Sequence, residues 1–303
     1  MDMITGMKTF VATVETGSFT AAADRIGISN KLASKYVAQL EDHLSVRLLH
    51  RTTRTLSLTE AGQRYYPRCF RLLEDLEALE GSVRAENSVL KGFLRIAAPT
   101  TFGELYIQPL IRKFRQDHPE LAIDLRLSDR YIDLADEGFD LAIRIGELGD
   151  SGLIARKLAV TELWAVASQE YLLANPEPKA PQGLIAHQCI QDTNLRSGEA
   201  WPFLINGQMK KIVVNAGYLV NSAKAVRDLV VAGEGIGLCP DYVVAPDVAS
   251  GKLSRILAGY PSLALDIHTV FLDARYMPAK TRRFLDFMAE RFKTCSDWQE
   301  LSE

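Results

Sequence analysis

The sequence predicts an N-terminal winged helix-turn-helix, a long linker helix, and then a two-lobed α/β region. Three observations carry this reading. Two short helices flank a glycine over Ser18–Glu41, a heptad seam starts at Tyr65, and short apolar strands alternate with helices from Gly92 onward. Helix-turn-helix geometry needs closely crossing helices, a turn open to glycine and a second helix with small and basic side chains.

In order, Met1–Thr16 reads as a first helix, with Met7, Phe10, Val11 and Val14 on its apolar side. Ser18 is placed to cap a second helix carrying Phe19, Ala22 and Ile26, and Gly27 ends it. Ser29 caps the third helix. There Ala33, Val37, Leu40 and Leu44 form the buried stripe, while Lys31, Ser34, Lys35 and Ala38 occupy another face. Ser29, Asn30, Lys31, Ser34, Lys35 and Tyr36 are therefore the expected DNA-facing group, where small residues allow entry into the major groove.

After Glu41 the period changes. Val46, Leu48 and Leu49 lead into a basic tip, and Leu56, Ser57, Leu58 and Thr59 then alternate, which predicts two short strands around a wing. Arg51, Thr52 and Arg54 at the tip are expected to meet phosphates or the adjacent minor groove. From Tyr65, apolar residues fall at Tyr65, Cys69, Leu72, Leu76, Leu79 and Val83, in steps of four and three. A helix of about 25 residues spans about 35–40 Å, too long for a small domain to cover, so this seam reads as a dimerisation linker.

Composition bounds the functional classes. The chain has 303 residues, a net charge of −3, 47% hydrophobic and 24% charged residues. Residues 1–60 hold seven basic side chains against six acidic ones, so DNA contact rests on the local cluster of Lys31, Lys35, Arg51 and Arg54. Cys69, Cys189, Cys239 and Cys295 are scattered without CxxC or zinc spacing, the pattern of buried thiols in a reducing cytoplasm. No signal peptide and no run of transmembrane length is visible, so a cytoplasmic protein without a membrane partner is expected. His43, His50, His118, His187 and His268 show no metal spacing, and there is no nucleophile elbow or P-loop. Gly233–Gly237 lacks the helix pattern that a dinucleotide fingerprint requires. No catalytic residue, metal or cofactor is expected.

Several stretches together resemble the LysR-type transcriptional regulators. They are Ser18–Gly27, Ser29–Glu41, Val46–Arg51 and Leu58–Gly62, then Ala97–Pro99 with Phe102-Gly103, Leu125–Arg130, Glu137–Gly146 and Gly233–Leu238. The resemblance spans essentially the whole chain. It departs at Asn30, Lys31 and Tyr36, which puts base preference, though not docking mode, outside what it implies. It implies domains at 1–60 (DNA-binding), 61–90 (linker and dimerisation) and 91–303 (effector-binding). The last resembles periplasmic binding proteins, with lobe I at about 91–160 and 267–303 and lobe II at about 161–266.

Within that region the pattern predicts strands Phe93–Ala97, Leu121–Leu127, Leu141–Ile145 and Ile267–Leu272. Helices are predicted over Glu104–Gln116, Tyr131–Glu137, Gln169–Ala174, Ala223–Ala232, Asp241–Ala249 and Ala279–Phe292, around a mostly parallel sheet. Ligands of such sheets sit at strand C-termini and helix N-termini. Thr100, Thr101, Phe102, Arg144, Gly146, Asn221 and Ser222 are therefore the expected effector-binding residues, with Arg196 and its neighbour Trp201 as candidates. Two helix N-termini and one guanidinium would favour a small organic anion. The function expected is a sequence-specific regulator, dimeric or tetrameric, binding a partly palindromic double-stranded DNA site under control of a small-molecule effector. RNA polymerase is the further partner implied by the resemblance. The alternatives are a DNA-binding regulator without a small-molecule effector, or an α/β enzyme.

Overall fold

The computed structural model describes residues 2–51, 56–82, 89–149, 152–195, 200–272, 277–295, 298 and 300; for Arg51, 74–75 and 77–82 only the backbone is described. The N-terminal unit is built by helices Met3–Thr16, Phe19–Ile26 and Asn30–Leu44, followed by strands Leu49–Arg51 and Leu56–Leu58. The caps are those the side chains dictate. Ser18 accepts from Ala21 N–H at 3.4 Å and Ser29 from Leu32 N–H at 3.3 Å. Gly27 takes φ 76° while Ile28 N–H returns to the Ala23 carbonyl, closing the turn between the two helices. Phe10, Val37, Leu40 and Leu48 are fully buried at the centre of this unit.

Two tertiary features lock the wing to the helices. The carboxylate of Glu41, 2% exposed, accepts the N–H groups of Leu48 at 2.8 Å and Leu49 at 3.1 Å, and pairs with Arg47 at 3.2 Å. Gly62 lies so close to the strand that a Cβ there would sit 2.1 Å from the Leu48 carbonyl oxygen.

The linker helix is Glu60–Ser82, 23 residues with Pro67 inside it, about 35 Å long at 1.5 Å per residue. Its first half does not run free. Cys69, Phe70 and Leu73 are buried, and Tyr65 packs 5.7 Å from the Phe10 ring, so Tyr65 and Cys69 belong to the core of their own DNA-binding unit. Leu72 is 54% exposed and Leu76 half-buried. The Leu79 side chain and Val83 lie outside the described residues.

Residues from Gly92 on form a nine-stranded sheet among the described residues. Its order is Ala216–Val220, Cys189–Asp192, Ile236–Pro240, Ile154–Ser168, Ala264–Phe271, Leu141–Ile145, Gly92–Ala98 and Leu121–Leu127, with Leu253–Ile256 added on Ile154–Ser168. Strands at each end pair in parallel, and the middle pairs antiparallel. The expectation of a mostly parallel sheet is thus corrected to a mixed one. The long strand Ile154–Ser168 pairs with Ala264–Phe271 up to Glu162 and with Ile236–Pro240 from Leu163, so one strand serves both lobes. Its return partner runs the other way, which makes the crossovers antiparallel.

Most predicted elements lie within two residues of their expected bounds, but two helices differ. The helix expected from Glu104 starts at Thr100, widens into a π segment over Gly103–Ile107 and ends at Asp117. Gly103, at the start of the π segment, lets the Leu127 side chain approach where a Cβ would collide with it. The helix expected from Tyr131 starts only at Leu134, because Asp133 caps Ala135 and Asp136 with its side chain. A hairpin not foreseen joins Ala200–Ile205 to Gln208–Val213. Its turn residues Asn206 and Gly207 both take positive φ, 52° and 75°, as a type I′ turn requires. Among the described residues no helix is long and apolar enough to cross a membrane.

Candidate DNA interface and effector cleft

The recognition helix buries Ala33, Val37 and Leu40 and leaves Lys31 and Lys35 exposed, with Ser34 and Tyr36 half-buried beside them. Ser29 is committed to its cap. Asn30 is tied backward, its amide donating to Thr20 Oγ1 at 2.9 Å, so it links the starts of the second and third helices. That bond could not be read from spacing along one helix. Thr52 and Arg54 at the wing tip, and the side chain of Arg51, lie outside the described residues. Thr59 fixes the wing's far end, donating to the Arg47 carbonyl at 2.7 Å and accepting from Gly62 N–H at 3.0 Å.

Between the lobes lies a cavity of about 220 Å³. Lobe I lines it with Thr101, Asp129, Tyr131, Arg144 and Glu147, and lobe II with Asp192, Asn194, Leu195 and Tyr242. Of the residues expected to bind effector, Thr101 and Arg144 line it. Thr100 contributes its N–H to Asp129 Oδ1 at 3.1 Å. Phe102 is fully buried beneath the cleft, 5.2 Å from the Tyr106 ring and 5.1 Å from that of Tyr242. Gly146 forms a positive-φ turn whose N–H meets the Asp266 carbonyl. Asn221 accepts on its carbonyl from the Asn194 amide at 2.8 Å, and Ser222 caps the helix Ala223–Val231. Arg196 lies outside the described residues, and Trp201 is buried in the lobe II core.

The electrostatics of the cavity are set by two residues. Arg144 donates to the Ile132 carbonyl at 3.0 Å and the Arg130 carbonyl at 3.4 Å, and its guanidinium lies 4.9 Å from the Tyr131 ring centroid. Burial lowers its pKa, against the opposing effect of Tyr131 and Glu137. Asp192, 5% exposed, accepts the Asn194 N–H at 2.9 Å. Burial pushes its carboxyl up to about 6; the Asn194 N–H pulls the other way and Asp129 adds to the rise. Sequence reasoning missed Asp129, Glu147 and Asp192. Their spacing of 18 and 45 residues carries no local signal, although Asp129 and Glu147 each lie two residues past a strand and Asp192 ends one.

Burial also pushes the thiols of Cys69 and Cys189 up to about 12. Cys239 is buried and shifted upward as well, so three of the four thiols are held protonated and away from solvent.

A winged helix-turn-helix joined by one long helix to a two-lobed α/β domain with a cavity between the lobes defines a DNA-binding regulator with an effector domain. Residues 4–63 match the bacterial regulatory helix-turn-helix proteins of the lysR family, and residues 87–293 match the LysR substrate binding domain. The chain is 38% identical to an HTH-type transcriptional regulator of Haemophilus influenzae over 92% of this chain and 97% of that one. The solved structure of CrgA, a LysR-type transcriptional regulator from Neisseria meningitidis, is 34% identical, with a TM-score of 0.63 over 95% of this chain and 98% of that chain. Full-length AphB, a virulence activator of Vibrio cholerae, is 30% identical with a TM-score of 0.62 over 94% of this chain and 98% of that one. This chain belongs to the LysR family of transcriptional regulators, whose members regulate transcription and are not enzymes.

Proposed function

We propose that this regulator works as a cytoplasmic homodimer that reads a partly palindromic duplex site. Lys31, Ser34, Lys35 and Tyr36 lie in the major groove, and the wings flank it. The observation that carries this reading is the exposed basic face of Asn30–Leu44, opposite a fully buried Ala33, Val37 and Leu40. A two-fold pair of such helices accounts for a palindromic site. Exposed Leu72 on the linker helix supports the dimer, while assembly to a tetramer and contact with RNA polymerase are supported by family membership alone.

The effector domain takes a small molecule in the cavity between the lobes. Occupancy there changes how the lobes close and, through the linker helix, the placement of the DNA-binding units. Footprinting on the DNA upstream of its own gene tests this. A protected site with two-fold symmetry is expected, and protection without symmetry, or none, would refute the dimeric reading.

A further inference from the structure

Among the described residues the cavity holds more acid than base. Asp129, Glu147 and Asp192 line it, and of the described lining residues only Arg144 is cationic. Two of the three features that would attract an anion are already engaged. The Arg144 guanidinium serves the Ile132 and Arg130 carbonyls and the Tyr131 ring. The Thr100 N–H at the helix start is held by Asp129. A carboxylate entering here would lose water and meet carboxylates in return.

Asp192 points to the complementary ligand. It ends the strand Cys189–Asp192, is 5% exposed, and lines the cavity. One oxygen accepts the Asn194 N–H, and among the described residues the other oxygen has no donor and the carboxylate has no ion-pair partner. A buried carboxylate left in this state calls for a cation from outside the chain. A metal ion does not fit, since among the described residues no three His, Cys, Asp or Glu side chains gather closely enough to hold one. Pro99, Leu148, Leu153, Leu195, Leu265 and Val270 supply an apolar part of the wall, beside the polar Thr101, Ser128, Tyr131, Asn194 and Tyr242. Room of about 220 Å³ suits roughly seven heavy atoms, at ~30 Å³ of liquid for each water-sized group.

We propose that the effector is a small organic ammonium, a protonated amine whose N–H groups meet Asp192 and Asp129 while a short hydrocarbon body lies against Leu195 and Leu265. This rests on the reading of the cavity as the effector site. It also replaces the organic anion expected from the sequence.

The test is ligand-observed saturation-transfer NMR on the full-length protein at pH 8, with butylamine and butane-1,4-diamine against butyrate and succinate. Amine signals are expected to show transfer and the acids none. Asp192→Asn is expected to weaken amine binding at least tenfold, and Asp129→Asn several-fold. Asp129 is exposed, so its variant keeps the test decisive if Asp192→Asn does not fold. Acid binding that tightens in Asp192→Asn would overturn the ammonium class and leave the cavity as the effector site. Amine binding unchanged in both variants would overturn the proposal by placing the amine elsewhere. Binding of neither class would overturn the proposal together with the effector reading.

Discussion

Arg68 in the linker helix donates to Asp136 in lobe I at 2.7 Å, so the helix that carries the DNA-binding unit is tied to the effector domain of the same chain. The pair does not act alone. Phe70 of the linker helix lies 5.8 Å from the Phe93 ring at the start of the effector domain, and the Arg95 guanidinium lies 4.6 Å from the Phe70 centroid. Both members of the ion pair are largely exposed. Its worth is therefore positional, since exposed pairs contribute only about 0–1 kcal/mol. Arg68→Asp is expected to leave the melting temperature within about 2 °C and change operator affinity about fivefold. Adding Asp136→Arg is expected to restore it. Fluorescence anisotropy on a labelled operator reads this, and unchanged affinity in Arg68→Asp would show that the contact carries no coupling.

Glu41 holds the wing. Removing its carboxylate leaves the buried Leu48 and Leu49 N–H groups without their acceptor. Each orphaned donor costs about 1–3 kcal/mol. Glu41→Ala is expected to destabilise the DNA-binding unit by about 2–4 kcal/mol in urea unfolding and to abolish operator binding, with the effector domain transition unmoved.

Two glycines of this unit should respond differently to the same methyl group. At Gly62 the added Cβ collides with the Leu48 carbonyl, whereas at Gly27 it meets nothing within 4 Å but must take φ 76°. Gly62→Ala is expected to cost about 3 kcal/mol or more through displacement of the strand. Gly27→Ala is expected to cost only about 1–2 kcal/mol, as the left-handed conformation does for other residues. Equal losses in denaturant titrations would contradict the steric account of Gly62.

On DNA, Lys31→Ala is expected to weaken binding to all sequences and to reduce the salt slope by about one unit. Ser34→Ala is expected to weaken the operator more than random duplex, which competition anisotropy measures directly. Loss of equal size on both would remove Ser34 from base reading.

The pH dependence follows from Asp192. Its folded-state pKa of about 6 lies above the ordinary carboxylate value of 3.8. Its contribution is therefore present in full at low pH and lost as pH rises through about 6. A rise of this size in the carboxyl pKa corresponds to about 3 kcal/mol at most. Among the described residues the charged and titratable groups around it are Asp129, Glu147, Arg144, Cys239 and Tyr242, of which Asp129 raises it further. Subtracting the Asp192→Asn unfolding curve from wild type over pH 4–8 isolates this group. Wild type is expected to lose stability relative to the variant between pH 4 and 7, and a flat difference would refute the burial of an ionisable Asp192.

Much of the architecture was legible because it depends on neighbours along the chain. Ser18, Ser29 and Gly27 start and stop helices through bonds spanning three to five residues. Strands Leu121–Leu127 and Leu141–Ile145, and helices Gln169–Ala174 and Asp241–Ala249, have the bounds their patterning implies. The Asn206-Gly207 hairpin carried an equally local signal, hidden because the surrounding stretch reads as polar loop.

The site was less legible. A heptad count places Tyr65 and Cys69 on a seam but cannot say that Phe10, 55 residues earlier, already covers Tyr65. Likewise Arg144 reads as a free cation at a strand end until the fold brings the Arg130 and Ile132 carbonyls onto it. Covalent geometry and side-chain spacing specify helices, caps and strands from the sequence itself. The partners of a charge are specified only when distant segments meet. In this protein that meeting turns a cleft that looks anion-seeking along the chain into one bordered by Asp129, Glu147 and Asp192.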